Sequence, residues 1–259
     1  MSDGSSGESD ASGNGIAIDT VSGPCRFFSP KAVYFREDDK ENGKNVFAMI
    51  LYCIRHGEST YNAEGRVQGQ SDVPLSDLGR RQGQAVAEAL AEVGLEVIFS
   101  SPLRRAYETA EIVARRTGAP IRTDPRLKEI NAGIFQDRLR SELLAQFPED
   151  YRRWTSGDPD FVIPGGESRR QLAERGVAAF RDIIASGYER VAVVSHGRLL
   201  VVTLKSLLDS SDASRLPAAL QNASITTVEV DPTNGRMRLI TADDVRHLEG
   251  VGLSGSGDL

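Results

Sequence analysis

Two histidines of this chain stand in the same local setting. Arg55-His56-Gly57 follows the apolar run Met49–Ile54, and Ser195-His196-Gly197 follows Val191–Val194. Nearly continuous apolar runs of this length are the pattern of strands buried on both faces of a parallel sheet. Ligands of such sheets gather at the carboxyl edge, where strand order reverses, so neighbouring strands would aim both imidazoles into one crevice. A glycine after each histidine permits a sharp turn and a close approach of backbone to ligand. The plain alternative is two hydrogen-bonded structural histidines; the repeated context favours chemistry. Metal ligation is disfavoured, because neither histidine has a second His, Cys or carboxylate at a spacing such as H-E-x-x-H. Glu58, two residues after His56, is poorly placed to share an ion, and no cofactor is implied.

Arginines indicate what two metal-free histidines would handle. Arg55 adjoins His56, and Arg104 and Arg105 lie in Ser101-Pro102-Leu103-Arg104-Arg105-Ala106 at a strand-to-helix turn. Free N–H groups at a helix start and the planar guanidinium fork both suit phosphate oxygens. Neighbouring cations lower an imidazole's pKa and keep it neutral, and a neutral imidazole can attack phosphorus. One of the two adjacent arginines is expected on a solvated helix face.

The elements that must position these groups follow from periodicity. Leu95–Phe99 is a weaker third strand, and Ile225–Val230 and Arg236–Ile240 flank the turn sequence Asp231-Pro232-Thr233-Asn234-Gly235, an antiparallel edge hairpin. Ser76 is expected to cap a helix with Val86, Leu90 and Val93 on one face and Gly94 at its end. Ser101-Pro102 would open a second helix closed by Gly118, and Ser168 a third closed by Gly187, with Leu172, Phe180, Ile183 and Ile184 facing inward. A fourth starts just after Gly197. Strand–helix alternation of this kind predicts an α/β fold, a three-layer α/β/α sandwich on a mostly parallel sheet.

Composition bounds the surroundings. The 259 residues carry 31 Lys and Arg against 37 Asp and Glu, a formal net charge of −6, which argues against non-specific binding to nucleic acid or anionic lipid. Cys25 and Cys53 make no disulfide framework, and no apolar run approaches the ~20 residues of a membrane span, so a cytoplasmic location is expected. Residues 1–25 read as a disordered tail rich in Ser and Gly, and 26–48 as an extension of uncertain structure. Met49 is a candidate alternative start. The folded domain is placed at 49–244, and 245–259 is read as a flexible tail.

Arg55-His56-Gly57-Glu58, Ser101-Pro102-Leu103-Arg104-Arg105-Ala106, Leu127-Lys128-Glu129 and Ser195-His196-Gly197 together resemble the histidine phosphatase superfamily, with its phosphoglycerate-mutase-like fold. The resemblance spans roughly Ile50 to Ile240. It implies that His56 is the nucleophile that becomes phosphohistidine, with Arg55, Arg105 and His196 around the phosphoryl group and Glu129 as general acid and base. It also implies substrate contacts by Asn62, six residues after the nucleophile. Arg66-Val67-Gln68-Gly69 resembles the phosphatase branch and adds Gln68 and Gly69, with Gly197 beside His196, as candidate contacts. Glu58 is read as structural, early in a helix and able to pair with an arginine.

Departures from the family pattern bear on the reaction. Gln136 and Asp137 stand where phosphatases often have Glu-Gly, and Ile130-Asn131-Ala132 where mutases have Arg-His-Tyr. The longer mutase insertion is also missing before Gly165-Gly166-Glu167-Ser168. The resemblance therefore implies a metal-independent phosphatase acting on a small phosphorylated substrate. A phosphoglycerate mutase and a non-catalytic phospho-ligand binder are the alternatives. Residues 137–164, with Arg138, Arg140, Arg152, Arg153 and Trp154, form the expected cap, most of its arginines being read as a basic helical face. Substrate identity and oligomeric state, a homodimer included, are not legible.

Overall fold

Seven consecutive residues with no charged side chain before the last, Met-Ile-Leu-Tyr-Cys-Ile-Arg, are buried on both faces as β1, Met49–Arg55. β1 is central in the sheet of the computed structural model, which describes Met1 and residues 49–231 and 233–254. The expectations for residues 2–48 and 255–259 lie outside the described residues. The other strands are β2 (Val97–Ser100), β3 (Ile121–Thr123), β4 (Arg190–Ser195), β5 (Ile225–Val230) and β6 (Met237–Asp244). Their order is β3-β2-β4-β1-β5-β6. The first four run parallel; at the far side β5 pairs antiparallel with β1, and β6 antiparallel with β5. This is the expected mostly parallel sheet with an antiparallel hairpin edge. Three-residue β3, Ile-Arg-Thr, carries no legible periodicity and was not expected.

Helices cover both faces. Alternation of side chains along a strand sends Leu51 and Cys53 to one side with Val191 and Val193, where they join a single core cluster with Leu172, Phe180 and Ile183 of α6 (Arg169–Ile184) and Leu199, Leu200 and Leu204 of α7 (Gly197–Leu207). The opposite face is packed by α2 (Asp77–Ala89) and α3 (Arg104–Thr117), whose Val86, Ala106, Ala110 and Val113 are fully buried. α1 is the short turn Thr60–Glu64; α4 (Arg140–Gln146) and α5 (Pro148–Thr155) build the segment 137–164, and α8 is Ser210–Ala213. Burial pushes the Cys53 thiol up to about 12, which leaves it a small apolar core residue.

Caps explain where sequence boundaries hold and where they slip. Ser76 accepts the N–H of Gly79 at the start of α2, and Ser168 forms a capping box with Gln171 at the start of α6. Gly94 and Gly187 do adopt left-handed backbone, but α2 ends at Ala89 and α6 at Ile184, so each glycine lies in the turn beyond its helix. α3 begins at Arg104 on Leu103 with no side-chain cap, because Ser101 is engaged elsewhere. The stretch after 244 does not leave the domain. Leu248 is buried, His247 Nε2 lies 2.9 Å from the Ala223 carbonyl, and Gln82 Nε2 donates to the Gly252 carbonyl at 3.1 Å. The tail boundary drawn from Gly and Ser content is corrected accordingly: Leu248 supplies apolar burial that composition averaged away.

One close approach holds the first strand's end against α2. A Cβ on Gly57 would lie 2.4 Å from the Gly79 carbonyl oxygen, and a Cβ on Gly79 would lie 1.9 Å from that of Glu58. The glycine after His56 therefore admits helix backbone, not ligand. Gly79→Ala is expected to lower the unfolding free energy by about 1–3 kcal/mol, as overpacking does. Gly83→Ala in the same helix meets only the tip of Ile112 and is expected to be neutral or mildly stabilising. Urea denaturation of both variants checks this; an unchanged midpoint for Gly79→Ala would contradict the contact.

Candidate active site

Parallel pairing of β1 with β4 sets the register Arg55↔Ser195, and the His56 N–H continues the ladder onto the Ser195 carbonyl at 3.0 Å. The next residue of each strand is a histidine, so the two rings meet with centroids 5.1 Å apart at 61°. Both rings are buried, at 2% and 0% exposure for His56 and His196. Burial, then the charge of Arg105 and that of Arg55, holds His56 well below the usual imidazole range. His196 is lowered in the same direction by burial, then by Arg105 and by His56. Both are neutral at neutral pH.

Hydrogen bonds assign the tautomer. His56 Nδ1 lies 2.7 Å from the Gly57 carbonyl, which can only accept, so the proton is on Nδ1 and the lone pair on Nε2. Arg105 Nε donates to that Nε2 at 3.2 Å, while Nη1 and Nη2 donate to the carbonyls of Ser71 and Gly69, both at 2.8 Å. His196 Nε2 lies 2.8 Å from Ser101 Oγ, and that oxygen also receives the Leu103 N–H at 3.3 Å. The direction of that bond follows the tautomer: where the hydroxyl donates to Nε2, the ring proton of His196 is on Nδ1. That atom is buried and has no hydrogen-bond partner among the described residues. The unprotonated Nε2 of one ring, a fixed guanidinium and an unmatched nitrogen of the second ring thus belong to one buried group.

Arg55 is held from below. Nη1 donates to the Leu220 carbonyl and Nη2 to Asn222 Oδ1 at 3.2 Å. Asn222 Nδ2 in turn donates to the His56 carbonyl at 3.1 Å, which also receives the Ala223 N–H at 3.0 Å. Asn222 thereby couples the arginine to the backbone of the histidine. Sequence reasoning missed it, since an asparagine before a strand reads as an ordinary turn residue; Ser101 was likewise read as a helix cap. The paired arginines separate as expected: Arg105 is 1% exposed, whereas Arg104 is exposed and pairs with Glu108 at 2.7 Å.

Glu129 follows the 3₁₀ turn Pro125–Leu127 and meets the amino end of α7. Its Oε2 accepts the Arg198 N–H at 3.1 Å, and Oε1 accepts those of Leu199 at 3.2 Å and Ile130 at 2.8 Å. These N–H groups fix the position of the carboxyl group at the start of the helix. Arg175 donates to the carbonyls of Arg126, Lys128 and Glu129 and so fixes the loop.

A cleft of about 570 Å³, open to solvent, has His56, Arg105, Glu129, Gln68, Gly69 and Gly197 in its wall. Arg55 and His196 are buried beside it and are not part of the wall. Asn62 too lies outside the wall: its Oδ1 accepts from the Ser59 N–H and hydroxyl in the capping box of α1, and from Asn222 beside Arg55. Glu58 precedes α1, and its Oε1 accepts the Ser76 hydroxyl at 2.6 Å where an arginine was anticipated. Among the described residues, no group of three or more His, Cys, Asp or Glu could hold a metal ion, and no helix is long and apolar enough to cross a membrane.

Residues 51–243 match the profile of the histidine phosphatase superfamily, branch 1. A probable phosphoglycerate mutase, GpmB, of Proteus mirabilis is 38% identical over 210 residues, covering 79% of this chain and 97% of the relative. Among solved structures, a mycobacterial glucosyl-3-phosphoglycerate phosphatase complexed with VO3 is similar at 34% identity and a TM-score of 0.69, over 76% of this chain and 100% of that one. YhfR of Bacillus stearothermophilus is similar at 30% identity and a TM-score of 0.70, over 78% and 100%.

Lowered imidazole pKa values have a consequence for stability. The unfolded chain takes up protons near pH 6.5, whereas the folded rings resist them, so stability is full above that pH and is lost as pH falls below it. His247, also lowered by burial, acts in the same sense. Urea denaturation between pH 7 and 5.5 is expected to show stability falling by up to about 1.4 kcal/mol per pH unit for each buried ring. A flat profile would contradict neutral, buried histidines.

Proposed function

Because this chain belongs to the histidine phosphatase superfamily, branch 1, we propose that it is a metal-independent phosphomonoesterase that hydrolyses a small phosphorylated metabolite through a phosphohistidine. The observation that carries the reading is the pair of neutral histidines 5.1 Å apart, with Arg105 donating to the free nitrogen of the first. His56 Nε2 attacks phosphorus, and the bond from phosphorus to the ester oxygen breaks. The departing oxygen takes a proton from the Glu129 carboxyl, giving the alcohol. Water then surrenders a proton to the Glu129 carboxylate and attacks the phosphoryl group, the N–P bond breaks, and inorganic phosphate leaves. Arg55, Arg105 and the Nδ1–H of His196 meet the charge that builds on the equatorial oxygens. Gln68, Gly69 and Gly197 give the substrate polar and backbone contacts.

The name of the Proteus mirabilis relative favours a second reading, phosphoglycerate mutase. A mutase returns the phosphoryl group to a second hydroxyl of a bound phosphoglycerate and needs a bisphosphorylated primer. Ile130-Asn131-Ala132 after the acid supports the phosphatase reading, as does the phosphatase activity for which the mycobacterial neighbour is named.

Release of phosphate from p-nitrophenyl phosphate with EDTA present is the test. Activity is expected to persist in chelator, to fall by at least about a thousandfold in His56→Asn, and to fall by about 10²–10⁴-fold in Glu129→Gln. Loss of activity on EDTA treatment, or full activity of His56→Asn, would overturn the reading. Primer-dependent interconversion of phosphoglycerates exceeding hydrolysis would establish the mutase instead.

A further inference from the structure

Backbone oxygens of an irregular loop have no ladder to join, so side-chain donors decide where the loop lies. In the loop that ends at Glu129 every one of four consecutive carbonyls is claimed. Those of Arg126, Lys128 and Glu129 accept from Arg175 at 2.7, 2.5 and 2.8 Å, and that of Leu127 accepts from Ser195 Oγ at 2.8 Å. Ser195 is the last residue of β4, immediately before His196. One guanidinium and the strand that delivers the second histidine thus hold the whole approach to Glu129.

Arg175 spends its whole fork there. Nη1 donates to the carbonyls of Arg126 and Lys128, Nη2 to that of Glu129 and to Glu167 Oε1 at 2.6 Å, and Nε to Glu167 Oε2 at 3.1 Å, so five N–H donors meet five acceptors. Glu167 ties the other side of the loop: its Oε1 accepts the Asn131 N–H at 2.7 Å, and its own N–H donates to the Asn131 carbonyl at 3.0 Å. The two segments approach so closely that a Cβ on Gly166 would lie 2.2 Å from that carbonyl oxygen. Gln70 Nε2 adds a second donor to the Glu129 carbonyl at 3.0 Å. Backbone on both sides of Glu129 is therefore placed by groups outside the cleft wall, since neither Arg175 nor Glu167 lines it. The charge of Arg175 also reaches the second histidine, where it adds to burial, Arg105 and His56 in holding His196 below the usual range.

We propose that Arg175, oriented by Glu167, is the positioning residue of Glu129: by gripping the carbonyls of residues 126, 128 and 129 it sets the place at which the carboxyl group transfers its proton. A misplacement of about 1 Å at such a point costs on the order of 10²-fold in rate. Lysine is a poor substitute, because an ammonium has three donors and no plane in which to spread them. The role rests on the phosphomonoesterase reading, in which Glu129 protonates the departing oxygen.

Two measurements separate positioning from a merely structural role. kcat/KM covers the steps through departure of the leaving group, and phenyl phosphate needs its leaving oxygen protonated more than p-nitrophenyl phosphate does. Arg175→Gln is expected to lower kcat/KM for phenyl phosphate at least about tenfold more than for p-nitrophenyl phosphate, as Glu129→Gln does, and Arg175→Lys to restore part of the loss. Glu167→Gln, which keeps an acceptor for Asn131 but removes the ion pair, is expected to give the same ordering with a smaller loss. Hydrogen exchange followed by NMR reads the seat of Glu129 without turnover. The N–H groups of Arg198 and Leu199 lie in the first turn of α7, where no helix carbonyl can receive them, and they bond the Glu129 carboxyl group instead. In Arg175→Gln their exchange is expected to accelerate at least about tenfold more than that of the Cys53 N–H at the centre of the sheet. Equal losses on the two esters in Arg175→Gln where Glu129→Gln discriminates, or no selective acceleration at Arg198 and Leu199, would overturn the positioning role and leave the phosphomonoesterase standing. Selective acceleration with neither ester hydrolysed by the wild type would uphold the seat of Glu129 on Arg175 and overturn the phosphomonoesterase.

Discussion

The site depends on one register. β1 and β4 pair in parallel with Arg55 opposite Ser195, so residues 56 and 196 leave the sheet at the same level and on the same edge. A slip of one residue would reverse the faces of a whole strand and send one imidazole away from the other. That register is strongly specified, because Leu51, Cys53, Val191 and Val193 must enter the same core cluster. The apolar pattern that folds the sheet is thus the same pattern that assembles the histidine pair.

Burial then gives the pair its chemistry. Two imidazoles among guanidinium groups would titrate lower even in water; removed from water they are held neutral well below the usual range. The carbonyl of Gly57 fixes the proton of His56 on Nδ1 and leaves the lone pair on Nε2. Ser101 and Asn222 do not face the cleft, yet each positions a group that matters: Ser101 sets the ring of His196, and Asn222 ties Arg55 to the backbone of His56. Positioning of this kind is the second layer that makes a site rigid enough to be selective.

Much of the arrangement was legible in the chain, for identifiable reasons. Buried parallel strands are written as apolar runs, and a histidine at the carboxyl end of such a run has a known direction, so His56 and His196 could be paired before any coordinates. Arg105 and Glu129 were legible only through family motifs, because nothing in local periodicity distinguishes Arg105 from Arg104, or Glu129 from a surface glutamate. Contacts between distant segments were not legible. The capping box that takes the Asn62 amide oxygen, the bond from Ser76 to Glu58, and the docking of Leu248 and Gly252 depend on tertiary proximity that composition does not encode. The same holds for the cap arginines, which read alike in sequence; packing alone turns Arg140 into the cleft wall and leaves Arg152 with Glu149 at the surface.

The central claim is that His56 carries the phosphoryl group. It is tested most directly by mixing the protein with p-nitrophenyl phosphate, quenching in alkali within milliseconds, and mapping the peptides by mass spectrometry with phosphorus NMR of the trapped protein. The account predicts one phosphoryl group on Nε2 of His56, discharged by water on a longer mixing time and absent from His56→Asn. A phosphoryl group on any other residue, or turnover with no phosphorylated protein at any mixing time, would contradict it.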